Sequence, residues 1–94
     1  MEWIKVSERP FIFPPSNQGV HAYSQKEKKF LVLYCRILEG SSGRHVQWFD
    51  AIKNATCQQP DYWLNADYPI SCNDEIKAME ILLNKIGDDK KNIK

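Results

Sequence analysis

FLVLYCRIL, residues 30–38, and HVQWFDAI, residues 45–52, are the two stretches whose reading decides the fold. The first is a nearly unbroken apolar run rich in strand-forming residues. Between them stand Glu39-Gly40-Ser41-Ser42-Gly43-Arg44, residue types that tolerate positive φ and leave a strand ladder at little cost. The pair reads as an antiparallel β-hairpin on which the other segments pack. Alternation puts Phe30, Val32 and Tyr34 on one face and Leu31, Leu33 and Cys35 on the other. Both faces are apolar, so this strand is expected to be central. A C-terminal helix should cover one side, and the N-terminal arm or another partner the other.

Toward the N-terminus, Val20-His21-Ala22-Tyr23 is a short strand candidate, and Ser24-Gln25-Lys26-Glu27-Lys28-Lys29 a solvated turn. Phe11-Ile12-Phe13-Pro14-Pro15 is apolar but bounded by prolines, which fix φ and hold the preceding residue extended. It reads as a strap over the core or a segment offered to a partner. Residues 2–6 alternate, with Trp3 apart from Ile4 and Val6, as in a short edge strand or extended arm. Toward the C-terminus, residues 53–60 read as loop with room for one helical turn, Asp61-Tyr62-Trp63-Leu64 as a short strand or an extended packing segment, and residues 65–69 as a turn. A helix comes last. Ser71 or Asn73 supplies its N-cap, and Asp74 and Glu75 fall in the first turn, where the helix dipole favours acids. Ile76, Met79, Leu83 and Ile86 recur at helical spacing, with Ala78 and Leu82 beside them. Gly87 is expected to stop the helix, leaving residues 88–94 as a frayed tail.

Ninety-four residues make one domain, expected over 1–87. Three Trp, four Tyr and four Phe are a large apolar supply for that length, and most of the Trp are expected in the core. Thirteen basic and twelve acidic residues leave a formal charge of +1, which argues against a general phosphate-backbone binder. Cys35, Cys57 and Cys72 include no Cys-x-x-Cys, and His21 and His45 stand at no familiar ligand spacing. Neither a structural zinc nor a cofactor is expected. The opening residues lack a cationic leader with an apolar h-region. No apolar run approaches the roughly 18 residues of a membrane span. The expected setting is cytoplasmic, with reduced thiols and no membrane partner.

Candidate chemistry has to be weighed against plainer readings. Cys35 with His21 or His45 is the available thiol–imidazole arrangement, yet a Cys inside an apolar strand is ordinarily a buried, inert thiol. Cys57 and Cys72, near loops, should be more reachable. Asp50, Asp61 and Asp67 flank turns, where Asp serves local hydrogen bonds, and their spacing matches no helix face and no EF-hand loop. Gly40-Ser41-Ser42-Gly43-Arg44 lacks the Lys-Ser or Lys-Thr pair and the helix that follow a phosphate loop. It reads as a turn, with Arg44 and His45 projecting at its end for an anion contact. Lys26, Lys28, Lys29 and Arg36, with Tyr23, Tyr34 and Trp48, offer a basic and aromatic face for single-stranded nucleic acid. Trp and Tyr dominate binding hot spots; of the 61–69 cluster, Trp63 reads as core, and Tyr62 and Tyr68 as exposed contact residues.

Trp3-Ile4-Lys5-Val6-Ser7-Glu8-Arg9-Pro10 is followed in order by Val20-His21-Ala22-Tyr23, the strand over 30–34, Trp48-Phe49-Asp50 and Tyr62-Trp63-Leu64. This succession resembles an uncharacterised family of small phage and prophage proteins that open Trp-Ile-x-Val-Ser-Glu-Arg-Leu-Pro. The chain departs from that pattern in three places. The Leu before the first Pro is missing, the family's closing His-Trp-Met-Pro-Leu-Pro is replaced, and a C-terminal helix follows. The resemblance implies a phage or mobile-element origin and a small β-rich fold, and no chemistry. Accessory phage proteins of this size often bind host machinery stoichiometrically, restriction and CRISPR systems included, which is an analogy of context.

Together these readings predict an α+β domain: three to four antiparallel strands with one C-terminal amphipathic helix packed on the sheet. The expected function is non-enzymatic binding of a host or phage protein, including inhibition of a host defence complex. The contact surface would be a sheet edge, the strap or the 61–69 loop, with Phe11, Phe13, Arg44, His45, Tyr62 and Tyr68 as contact residues. A small nucleic-acid binder and a thiol-dependent enzyme are the alternatives.

Overall fold

The hairpin is the longest feature of the fold. The computed structural model describes residues 1–41 and 43–92, with side chains as far as residue 87. In it β3 (Lys29–Gly40) and β4 (Gly43–Asp50) pair antiparallel from Leu33↔Asp50 to Gly40↔Gly43. Gly43 takes φ 114°, a backbone conformation that residues with a Cβ rarely adopt. Around the hairpin lie β1 (Glu2–Lys5), β2 (Val20–Ser24), β5 (Ala55–Cys57) and β6 (Tyr62–Asn65). They join one antiparallel sheet in the order β1-β6-β2-β3-β4-β5, and α1 (Cys72–Asn92) follows.

The fold is therefore α+β, but with six strands among the described residues rather than three to four. β5 is the strand that residue types conceal. It is only three residues long and follows Lys53-Asn54, with Asn54 in the left-handed region at φ 52°. Its extended form comes from pairing with residues 48–50 of β4 rather than from its own propensity.

This sheet cannot be flat. β5 is at one edge and β6 lies four strand intervals away, about 19 Å at ~4.8 Å per interval. The linker from Cys57 to Tyr62 reaches at most about 18 Å when fully extended. The sheet therefore curls, and the linker lines a cavity together with Leu31 and Leu33 of the concave side. Pro60 is buried, and Asp61 is held between the strands that flank β6: its N–H donates to Tyr23 O at 3.1 Å, and its O accepts from Val6 N–H at 3.0 Å.

The concave side holds the larger core, in which Ile4, Val20, Leu33, Cys35, Trp48 and Trp63 meet. The proline strap closes part of it. Phe13 packs on this core, Pro14 is fully buried, and the Pro14 carbonyl accepts from Cys35 Sγ at 3.4 Å. Trp3 goes to the opposite, convex side, as its alternation with Ile4 and Val6 predicts. All three Trp are buried.

On the convex side, Trp3, Tyr23, Tyr62 and Leu64 meet Ala78, Leu82 and Ile86 of α1. Ser71 caps this helix: its Oγ accepts from Asp74 N–H at 3.1 Å. The buried stripe differs from the expected one, because Ile76 and Leu83 are 55% and 49% exposed. Apolar residues occupy more than half of the helix circumference, with Lys77, Glu80 and Asn84 on the remainder, so periodicity alone does not choose the buried stripe among them. Trp3 chooses it. Its indole Nε1–H donates to Ala78 O at 2.7 Å, and a ring seated against the helix backbone favours a small side chain at that position. Gly87 does not end α1, which runs on to Asn92. A helical glycine costs only about 1 kcal/mol relative to Ala, and no proline follows. Of the tail expected over 88–94, the side chains and the last two residues lie outside the described residues. Among the described residues no helix is long and apolar enough to cross a membrane.

Candidate functional site

Strand alternation and a helix that covers only half of the convex side leave a strip of the hairpin open. β3 presents Val32, Tyr34, Arg36 and Leu38 there, and β4 presents Phe49, Gln47 and His45 opposite them in register. α1 lies over β1, β6 and β2, with Ala78 against Trp3 and Glu75 Oε1 3.9 Å from His21 Nδ1. Arg36, Leu38 and His45 are exposed, and Val32, Tyr34 and Phe49 are half-buried. The backbone beside the strip is also accessible. β5 covers β4 only at residues 48–50, so residues 43–47 have no strand on their outer side among the described residues.

Tyr34 and Phe49 stack at the middle of this strip, with ring centroids 5.0 Å apart and planes 6° from parallel. The Arg36 guanidinium carbon lies 5.2 Å from the Phe49 centroid and 6.0 Å from that of Tyr34, within cation–π reach. Arg36 Nε–H donates to Asn17 Oδ1 at 3.0 Å. Asn17 sits at φ 69°, fixed by its own N–H on Cys35 O at 2.7 Å. Tyr34 Oη–H donates to Asn54 Oδ1 at 2.6 Å. Two rings, two asparagines and one guanidinium thus hold one another in place at the surface.

The residues expected to make contacts do not converge on one site. Phe11 is 91% exposed on the strap, while Phe13 packs on the concave core. Arg44 is exposed and pairs with Glu39 at 3.2 Å. Register puts Arg44 on the concave side and His45 on the convex side, so the two neighbours point apart. Tyr62 is not a contact residue. It is fully buried, because β6 lies between β1 and β2 with α1 above it. In the basic and aromatic set, Tyr23 and Trp48 are buried as well. Lys29 starts β3 and Arg36 lies seven residues further on, roughly 23 Å at about 3.3 Å per residue. Leu38, Gln47 and Phe49 are members of the strip that sequence reading did not single out. Extending the alternation of β3 across the hairpin register would have set Phe49 opposite Tyr34.

Tyr68 has a structural task. The β2–β6 ladder comprises Ala22↔Trp63 and Tyr23↔Tyr62, so His21 and Leu64 would be the next pair. The Tyr68 hydroxyl stands between them, accepting from His21 N–H at 3.1 Å and donating to Leu64 O at 2.7 Å. Burial raises its phenol pKa, with the His21 amide opposing. Tyr68→Phe removes both bonds and should lower stability by about 1–3 kcal/mol, read from the urea midpoint. An unchanged midpoint would contradict the splicing role.

The thiol–imidazole arrangement does not form. Cys35 faces the concave core, whereas register sets His21 and His45 on the convex side. Burial raises the Cys35 thiol pKa, and burial with the nearby Asp50 and Glu27 charges raises that of Cys57. Cys72 is exposed, Cys57 half-buried and Cys35 buried. Iodoacetamide should therefore label Cys72 first and Cys57 more slowly. Cys35 must wait for unfolding, which slows it on the order of 10³-fold or more. Fast native labelling of Cys35 would contradict the sealed core.

A cavity of about 410 Å³ opens at the concave mouth, floored by Leu31 and Leu33. Its rim carries Lys26, Lys29 and Lys53 against Glu27, Asp50 and Asp61, so its net field is small. Asp50 serves its own turn: backbone N–H groups of Lys53 and Ile52 bind Oδ1 at 2.9 and 2.8 Å, and the Lys53 amide leads in holding its carboxyl below the usual range. Among the described residues no group of three or more His, Cys, Asp or Glu side chains could hold a metal ion. Compared with known proteins, the chain matches no family model, no curated protein and no solved structure.

Proposed function

We propose that the chain is a non-enzymatic protein-binding module of phage or mobile-element origin. It would work in the host cytoplasm on a host or phage protein, including as a stoichiometric inhibitor of a defence complex, and its contact surface is the convex β3–β4 strip. The observation that supports this most is the Tyr34–Phe49 stack with exposed Leu38 on the same face. All three Trp, Tyr23 and Tyr62 are spent inside, and rings left together at a surface mark contact sites more often than scattered ones do. The open outer edge of β4 adds a backbone template on which a partner strand can pair. A nucleic-acid role has less support, since the Lys26–Lys29 turn ends five residues before Tyr34 on β3, roughly 16 Å from the aromatic stack at about 3.3 Å per residue.

Capture from a nuclease-treated host extract tests this reading, with the wild-type chain and Phe49→Glu as paired baits. The half-buried ring sits at the surface, so the variant should keep the wild-type circular dichroism. Retention of a protein by the wild type and its loss with Phe49→Glu is expected. Equal capture by both, or recovery of nothing but nucleic acid from untreated extract, would remove the proposal.

A further inference from the structure

Resting on the reading of the β3–β4 strip as a protein-binding face, we infer that the segment it binds carries an Asp or Glu between apolar residues, its carboxylate received by Arg36. The guanidinium is already held. Its Nε–H is taken by Asn17 Oδ1, and it lies within cation–π distance of Phe49 and Tyr34. That leaves the Nη1 and Nη2 edge for a two-pronged bond, whose planar geometry matches a carboxylate or a phosphate. A guanidinium fixed beforehand loses little freedom when it pairs.

The other two arginines have acids inside the chain: Arg9 pairs with Glu2 at 2.9 Å and Arg44 with Glu39 at 3.2 Å. Arg36 has no carboxylate within ion-pair distance among the described residues. Gln47 faces it across the ladder, and along its own strand its neighbours on this face are apolar or aromatic. Leu38 is 55% exposed two residues along the same face, and Val32 lies on the other side of Tyr34. The helix contributes too. Ile81 and Lys85 border Met1, Glu2 and Trp3 at the β1 edge, so the exposed Ile76 and Leu83 fall on the opposite flank of the helix, toward β3. A single cation between aliphatic and aromatic neighbours suits one carboxylate between apolar side chains. A phosphodiester backbone would call for a row of cations, and the lysine-rich turn is at the far end of the strand.

The test titrates isotope-labelled full-length chain and follows the Arg36 Nε–H resonance and the Tyr34 and Phe49 ring signals. The probes are a blocked Leu-Glu-Leu-Glu-Leu peptide, its Leu-Gln-Leu-Gln-Leu counterpart and an oligothymidylate. The glutamate peptide should move all three signals and bind at least about tenfold more tightly than the glutamine peptide, as a charge-assisted bidentate pair requires. Arg36→Ala should abolish that preference. Arg36→Lys, which keeps the charge but not the fork, should recover only part of it. Equal binding of the two peptides, binding of neither, or shifts produced by the oligonucleotide alone would overturn the inference. Those results leave the protein-binding proposal intact, because it stands or falls on capture by the wild-type chain and its loss with Phe49→Glu.

Discussion

Trp48→Ala should cost about 3–5 kcal/mol, the usual range for emptying a large aromatic site in a core. Trp48 is 3% exposed, lies opposite Cys35 on one side and Cys57 on the other, and belongs to the concave cluster with Leu33 and Trp63. It packs between β3 and β5 within that cluster, so truncation leaves a vacancy that its neighbours can fill only by shifting. A domain of this length has roughly 5–14 kcal/mol of stability in all, and the variant should lose about a fifth of it or more. The thermal midpoint should fall by at least about 12 °C. A fall of only a few degrees would mean that the concave cluster is not one packed body.

Leu82→Ala should be nearly as damaging, at about 2–5 kcal/mol, but in a different manner. Leu82 is fully buried between Ala78 and Ile86 on the stripe that meets Trp3, Tyr62 and Leu64. A helix in a protein draws most of its stability from the packing of its apolar face rather than from propensity. Loss of its central anchor should therefore release α1 before the sheet melts. Hydrogen exchange should show helix amides opening while β3 and β4 stay protected, since those strands pair with each other and with β2 and β5. Simultaneous loss of protection in helix and sheet would show that the two form a single cooperative unit.

These two sites also show what the residues reveal unaided and what they do not. The hairpin is legible because a long apolar run, a glycine-flanked turn and a second run are local features. The split of Trp3 from Ile4 and Val6 is legible for the same reason, and so is the Ser71 cap. The partners of β6 are not. Tyr62 follows Pro60 and Asp61 and resembles a loop aromatic, and only the insertion of β6 between β1 and β2 buries it. The helix face is illegible because Ile76, Ile81, Leu82 and Leu83 offer several stripes, and a single indole hydrogen bond to Ala78 selects among them. Of the surface strip, His45, Tyr34 and Arg36 could be named from the sequence, but their assembly depends on register. Arg36 meets Phe49 across the ladder and Asn17 from a turn nineteen positions away. That is a long-range juxtaposition that no local pattern encodes.

The central claim is that the half of the convex side left bare by the helix is the working surface. Amide hydrogen–deuterium exchange of the chain alone and bound to its captured protein tests it most directly. Added protection should concentrate in β3 from Tyr34 to Leu38 and in β4 from His45 to Phe49, with β1 and β6 unchanged. Protection confined to β1, β6 or the proline strap, with the hairpin exchanging as in the free chain, would contradict it.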